Sequence, residues 1–366
     1  MNAYVFLIFY IILLWCVTKK GTIFCTIGNT RCKKNLFMTM SFLAIFLLSA
    51  LRNETVGADT ENYMKYYNEV KKLNWYSLFS GGWDHHFFTT EKGYMIFEKI
   101  CGDLMIPSQV FIALCAGIFV YGIYKVVKSH VKESVLLAVF SFLAIGSYLM
   151  SINALRQGIG VGLCYAAWNE LKEGNKKKFV AGVLLACTFH ISCCVFFLAL
   201  VFEKISAGKK NALLITAGSI VLGFTGASVL PLILRLFPIY AARYGHGRWE
   251  INKANGIVVV WIIVIAIVIV LALKKDWRAK ESHKVFEIML FSLCYVCINI
   301  IGLSFDGAQR LSMLFQPFLI LLFDESCSLW RGKAKSIYMA GVVTGMIVLF
   351  VRASSTAQYA YSPFWV

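Results

Sequence analysis

The chain has 366 residues, 59% of them apolar and 15% charged, with a mean hydropathy of +0.70 and a net charge of +17. Repeated apolar runs of about 20 residues predict an all-α polytopic integral membrane protein and exclude a soluble domain. They also exclude a β-barrel, whose strands alternate over about ten residues. The positive charge lies in short clusters between apolar runs, as the positive-inside rule expects, so nucleic acid is not an expected partner. Twelve cysteines lie mostly inside apolar runs, and no C-x-x-C pair is matched by a second at zinc spacing. Cys294 and Cys297 therefore read as packing residues, and no metal and no cofactor is expected.

In chain order the apolar runs are 2–18, 36–51, 108–127, 134–150, 152–169, 179–202, 211–234, 257–273, 285–303, 310–323 and 336–352. The first has no preceding basic region and no small-residue cleavage site, so it reads as a span, not a removed signal peptide. No polar stretch is long enough for a separate domain, which leaves a single transmembrane domain over 1–366 with outer loops 52–107 and 235–256. Residues 93–107 read as a short interfacial or partly buried helix.

Orientation follows from the loop charges. Segments 19–35, 125–133, 170–178, 274–284 and 324–335 carry five, three, four, five and three basic residues, and 203–210 carries three more. The other side carries fewer despite its longer loops, so the rule places the first set in the cytoplasm. If 179–202 crossed once, Lys176–Lys178 and Lys204–Lys210 would face opposite sides and every later loop would be inverted. A break near His190 into two half-length helices puts both clusters in the cytoplasm, and broken helices are tolerated where they line a polar cavity. The total is then about 11–12 membrane segments, one of them broken or re-entrant.

With that topology Arg52, Asp59, Arg156, His190, Arg243, Arg248 and Arg310 all fall at outer ends of spans or in outer loops. After Arg52, Val56-Gly57-Ala58-Asp59-Thr60 sets a flexible glycine before a helix N-cap pair, and Tyr63, Tyr66 and Tyr67 follow at helical spacing, as on an aromatic face at a membrane boundary. A plain wet loop is the simpler reading of this stretch. Asn153, Arg156 and Gln157 share one helical face, and Gly158, Gly160 and Gly162 permit close helix approach. An arginine near membrane depth is a functional candidate unless it snorkels to the interface. His190, with Ser192 two residues on, suits either a structural role or the break itself. The stretch containing Arg243 and Arg248 is basic and aromatic, suited to phosphate and sugar rings or to an interfacial belt.

Five short motifs in order resemble the EpsG family, exopolysaccharide polymerases related to Wzy polymerases. They are Arg52 with V-G-x-D-T and the following Tyr, N-x-x-R-Q at Asn153, F-H-x-S at Phe189, Arg310, and the tail Tyr359 to Trp365 that includes Tyr361. One departure is Leu314-Phe315, where the family has Tyr-Phe after the arginine. The resemblance implies a GT-C-like fold in the bacterial cytoplasmic (inner) membrane with its site on the outer side. It implies transfer of a growing glycan from undecaprenyl pyrophosphate to the terminal sugar of another lipid-linked repeat unit. A chain-length regulator and a flippase are the implied protein partners, besides membrane lipid. Guanidinium groups bind phosphate oxygens bidentately, so Arg156, Arg310 and Arg243 are expected at the leaving pyrophosphate. Asp59 is the first candidate for general base and His190 the second. Arg52, Thr60, Asn153, Gln157, Ser192, Arg248 and Tyr361 complete the expected substrate-binding set. A flippase for lipid-linked oligosaccharide, an O-antigen ligase and a membrane O-acetyltransferase are the rival activities.

Overall fold

A computed structural model describes residues 3–20, 30–80, 91–235, 255–279, 281–302 and 306–366. The apolar runs fold as helices, and no strand forms among the described residues beyond one isolated bridge between Arg52 and Pro363. The protein is thus all-α, as expected of a polytopic chain whose backbone polar groups must be satisfied within each segment. Contacts divide it into two units: Met1–Val131 with Ala138–Phe197 and Val342–Val366, and Lys132–Leu137 with Leu198–Gly341.

The first unit opens with α1 (Ala3–Lys20) and α2 (Thr30–Ala50), followed by three short helices, α3 (Thr60–Val70), α4 (Trp75–Ser80) and α5 (Lys92–Asp103). The expected interfacial helix over 93–107 is α5. Next comes α6 (Ser108–His130), preceded by Pro107 in extended backbone and ending with Lys128 and His130 near the carbonyls of its last turn. The run 134–150 is not one straight helix. Gly146 takes φ +96° and divides it into α7 (Val135–Ala144) and α8 (Ser147–Asn153), bent by 42°. Ala154 then leaves helical geometry before α9 (Leu155–Lys172) begins. Gly162 of α9 lies against α6, where a Cβ would stand 2.5 Å from the Ile118 carbonyl, so the expected close approach is real.

The run through His190 is broken where charge counting asks for it. Helix α10 (Lys176–Phe189) stops, and His190 is extended at φ −155°, ψ 116°. The second half differs from the expected half-length α-helix: Ile191–Phe197 is a 3-10 turn, and only α11 (Leu198–Phe202) is α-helical. Ile191, Val195, Phe196 and Phe197 are β-branched or aromatic and favour a helix weakly, and the Cys193 N–H closes a tight bond to the His190 carbonyl at 3.0 Å. Glu170, in the last turn of α9, pairs with Lys125 at 2.8 Å and Lys178 at 3.4 Å. The basic loops after α6 and α9 therefore share one end of this unit, and Arg156, in the first turn of α9, lies at the other.

The second unit contains α12 (Lys209–Arg235), α13 (Asn255–Lys274), α14 (Ser282–Ile301), α15 (Asp306–Ser312), α16 (Gln316–Ser326) and the start of α17 (Gly332–Ser354). Its core forms where Phe291 of α14 stacks on Phe318 of α16 at 4.0 Å. The Asp324 carboxylate accepts the N–H groups of Lys132, Glu133 and Ser134 and so holds the start of α7. Ion pairs Lys132–Glu281, Lys275–Glu325 and Lys335–Glu133 bring together three of the basic segments that charge counting assigns to one side. Among the described residues α6, α14 and α17 are long and apolar enough to cross a membrane, or four spans with the bent α7–α8 pair. The other apolar runs fold as shorter helices or extend beyond the described residues.

Candidate functional site

Two polar clusters form at the Arg156 end of the first unit. The first is a brace. The break at Ala154 takes the Ile152 carbonyl out of the helical ladder, and Arg52 Nη2 and the Thr60 hydroxyl both donate to it, at 3.2 and 3.1 Å. Arg52 also donates to the carbonyls of Ser49 (2.8 Å) and Val56 (3.3 Å), and it is only 1% exposed. The structure thus gives Arg52 and Thr60 backbone carbonyl partners. Asn153 continues the brace. Its Oδ1 accepts the Ala58 N–H at 3.0 Å and its Nδ2 donates to the Tyr359 hydroxyl at 2.8 Å.

The C-terminal tail folds back here. Gly57 N–H donates to the Gln358 carbonyl, Asn53 N–H to Ser362 and Phe364 N–H to Leu51. Tyr361 is half-buried edge-on to Tyr4 at 5.9 Å. Asp59 takes the N-cap position of α3, as expected, but its side chain makes no capping bond. It is half-buried beside Tyr359. Burial and this carboxylate push the Tyr359 hydroxyl up to about 12, against the bond from Asn153. Of the tyrosines of α3, Tyr67 is fully buried, stacks on Phe111 at 4.2 Å and donates to the Ile106 carbonyl at 2.7 Å, while Tyr63 and Tyr66 are half-buried.

The second cluster surrounds Arg156. Its Nη1 donates to Glu91 Oε2 at 2.7 Å, and its guanidinium carbon lies 5.8 and 5.9 Å from the ring centres of Tyr63 and Tyr94. Glu91 Oε1 accepts the Ile191 N–H at 3.2 Å, so one carboxylate ties Arg156 to the broken helix. At the break, His190 Nδ1 and Ser192 Oγ are 2.6 Å apart. Gln157 is buried behind Arg156. Arg310 belongs to the second unit and is exposed on α15; Arg243 and Arg248 lie outside the described residues. The structure therefore brings together Arg52, Asp59, Thr60, Asn153 and Tyr361 as one group, and Arg156, His190 and Ser192 as another.

Sequence reasoning missed Glu91 and Glu98. Nothing local marks Glu91 among the carboxylates of a polar loop. Glu98 had a signal: with Tyr94 and Cys101 it lies on one face of α5, a face otherwise built for burial. It is 1% exposed, and its Oε1 has no hydrogen-bond partner among the described residues. Burial pushes its carboxyl up to about 8, although Tyr94 and Arg156 pull the other way, so it is mostly protonated at neutral pH. Two carboxyl groups near one guanidinium thus differ in kind: Glu91 is its ion-pair partner, and Glu98 is a buried acid.

No curated protein and no solved structure matches this chain. The EpsG family matches residues 35–365, nearly the whole length. On that match the chain belongs to the EpsG family, membrane proteins with a polymerase-type role in exopolysaccharide synthesis.

Proposed function

We propose that the protein transfers a growing glycan from undecaprenyl pyrophosphate to the terminal sugar hydroxyl of a second lipid-linked repeat unit, at the outer face of the bacterial inner membrane. The observation that carries this reading is Arg156, a partly exposed guanidinium flanked by two tyrosine rings beside a broken helix in an EpsG-family chain. A guanidinium stays charged and grips phosphate oxygens in a fork. In the reaction the acceptor oxygen bonds to the anomeric carbon as the bond from that carbon to the pyrophosphate oxygen breaks. The electron pair leaves with pyrophosphate, where Arg156 stabilises it.

The hydroxyl proton goes to a base, with Asp59 the first assignment and His190, held by Ser192, the second. Arg310, Arg243 and Arg248 are further phosphate or sugar contacts in this scheme. Arg52, Thr60, Asn153, Gln157 and Tyr361 support the frame. Transfer without a metal is part of the proposal, as is work alongside a flippase and a chain-length regulator.

Purified protein in detergent, given the lipid-linked repeat unit and EDTA, should make a ladder of polymer lengths, and Arg156→Ala should abolish it. Movement of the unit across liposomes with no ladder would make the protein a flippase instead.

A further inference from the structure

Glu91 directly precedes α5 in extended backbone (φ −64°, ψ 133°), a place where an acidic side chain ordinarily caps the helix that follows. It makes no such bond. Its two oxygens reach other segments instead, Oε2 to Arg156 of α9 and Oε1 to the Ile191 N–H just past the helix break. The approach depends on Gly93, whose place beside Thr188 leaves a Cβ only 2.1 Å from the threonine hydroxyl. The two side chains remain open to the surface, at 21% for Arg156 and 17% for Glu91.

A guanidinium fork and a backbone N–H recognise carboxylate and phosphate oxygens by the same geometry. Arg156 and Ile191 therefore form an anion seat, and the chain's own carboxylate sits in it. We propose that Glu91 is a positioning residue exchanged for substrate: it holds Arg156 between Tyr63 and Tyr94 while the seat is empty of donor, then yields the guanidinium to the donor's phosphate. This rests on the polymerase proposal only in taking a phosphate-bearing lipid as the incoming anion. Exchange is favoured over addition because a second anion beside Glu91 would meet like charge at a single guanidinium. The pair is mostly buried but keeps an opening to the surface, so a more highly charged anion can reach the guanidinium and compete for it. Glu98 does not compete for the guanidinium, being buried and mostly protonated at neutral pH.

The test uses the full-length protein in detergent, with inorganic pyrophosphate as the probe and the lipid-linked repeat unit as substrate. Glu91→Gln keeps the side chain's size but removes the competing charge. Pyrophosphate should inhibit this variant at about tenfold lower concentration than wild type, a shift equivalent to about 1.4 kcal/mol, and the donor KM should fall while kcat does not rise. A purely structural Glu91 would leave pyrophosphate sensitivity unchanged or weaken it, and either result overturns the exchange. If Glu91→Gln fails to fold, Glu91→Asp withdraws the carboxylate from Arg156 by one methylene, and the same two outcomes apply. Arg156→Lys run in parallel separates the two proposals. If it keeps wild-type pyrophosphate sensitivity, Arg156 is not the phosphate ligand and the polymerase assignment of that residue fails. If it loses sensitivity while Glu91→Gln gains none, only the exchange fails.

Discussion

The Arg52 guanidinium and the Thr60 hydroxyl share two acceptors: both donate to the Ile152 carbonyl and both to the Val56 carbonyl. Two donors that meet the same carbonyls from different segments lock the turn at Gly57 (φ +105°) to the break between α8 and α9. The position of Asp59 depends on this lock.

Arg52→Ala removes the donor to the Ser49 carbonyl and leaves the Ile152 and Val56 carbonyls to Thr60 alone. One orphaned buried carbonyl costs about 1–3 kcal/mol, so stability should fall by about that much. Arg52→Lys keeps the charge but loses the fork and should lower it by less. Thr60→Val should lose about 1–2 kcal/mol. Thermal unfolding in detergent measures these losses, and the donor KM of the folded fraction should stay at the wild-type value. An Arg52→Lys protein of normal stability with a raised donor KM would return Arg52 to the substrate-binding set.

Asp59→Asn retains size and hydrogen bonding but cannot accept a proton. Turnover should fall by about 10²–10⁴-fold with lipid-linked donor still bound. His190→Gln, which replaces the partner of Ser192, should show a milder loss. An active Asp59→Asn beside an inactive His190→Gln would move the base to His190. Two active variants would remove both from that role.

Glu98 makes stability depend on pH. Its carboxyl titrates near 8 in the folded protein, well above the ordinary carboxylate range near about 4.3, so folding favours the protonated form. The stabilising contribution is complete below the ordinary range and is lost as pH rises through about 8. Melting temperature should therefore fall between about pH 4 and about pH 8 and level off above that, and Glu98→Gln should flatten the fall. An unchanged slope in Glu98→Gln would place the ionising group elsewhere. The other titratable or charged groups around Glu98 are Tyr94 and Cys101 on its own helix, Tyr67 on α3, Cys115 on α6 and Arg156 on α9.

Membrane orientation is tested by labelling. Asn175 bonds to Glu170 at the basic end of the first unit, and Asn74 lies in the loop region before α5. In a background without the native cysteines, an impermeant thiol reagent on intact cells should label Asn74→Cys and not Asn175→Cys. The reverse pattern would turn the protein over in the membrane.

The helix break at His190 was readable without coordinates because the positive-inside rule links distant loops through a count of crossings. A single unbroken run would have set Lys176–Lys178 against Lys204–Lys210. The bend at Gly146 was not readable in the same way, since both halves are apolar and no charged loop intervenes. The tail was legible as a motif resembling family C-termini, while its return and its seat on residues 51–57 came from backbone hydrogen bonds.

Hydropathy, loop charge and motif order are read from the chain directly, so the sequence by itself determined the helical membrane class and the family, and it nominated a short set of polar residues. Only tertiary structure decided what each polar group does, because that depends on which donor meets which acceptor across long stretches of chain. Glu91 meets Arg156 over 65 residues and Ile191 over 100. Arg52 meets the Ile152 carbonyl over 100 residues, and only because Ala154 interrupts the helix there. Two arginines of the same type at the same end of the protein thus separate physically: burial and three carbonyl partners make Arg52 a brace, while partial exposure and an exchangeable carboxylate leave Arg156 available to an anion.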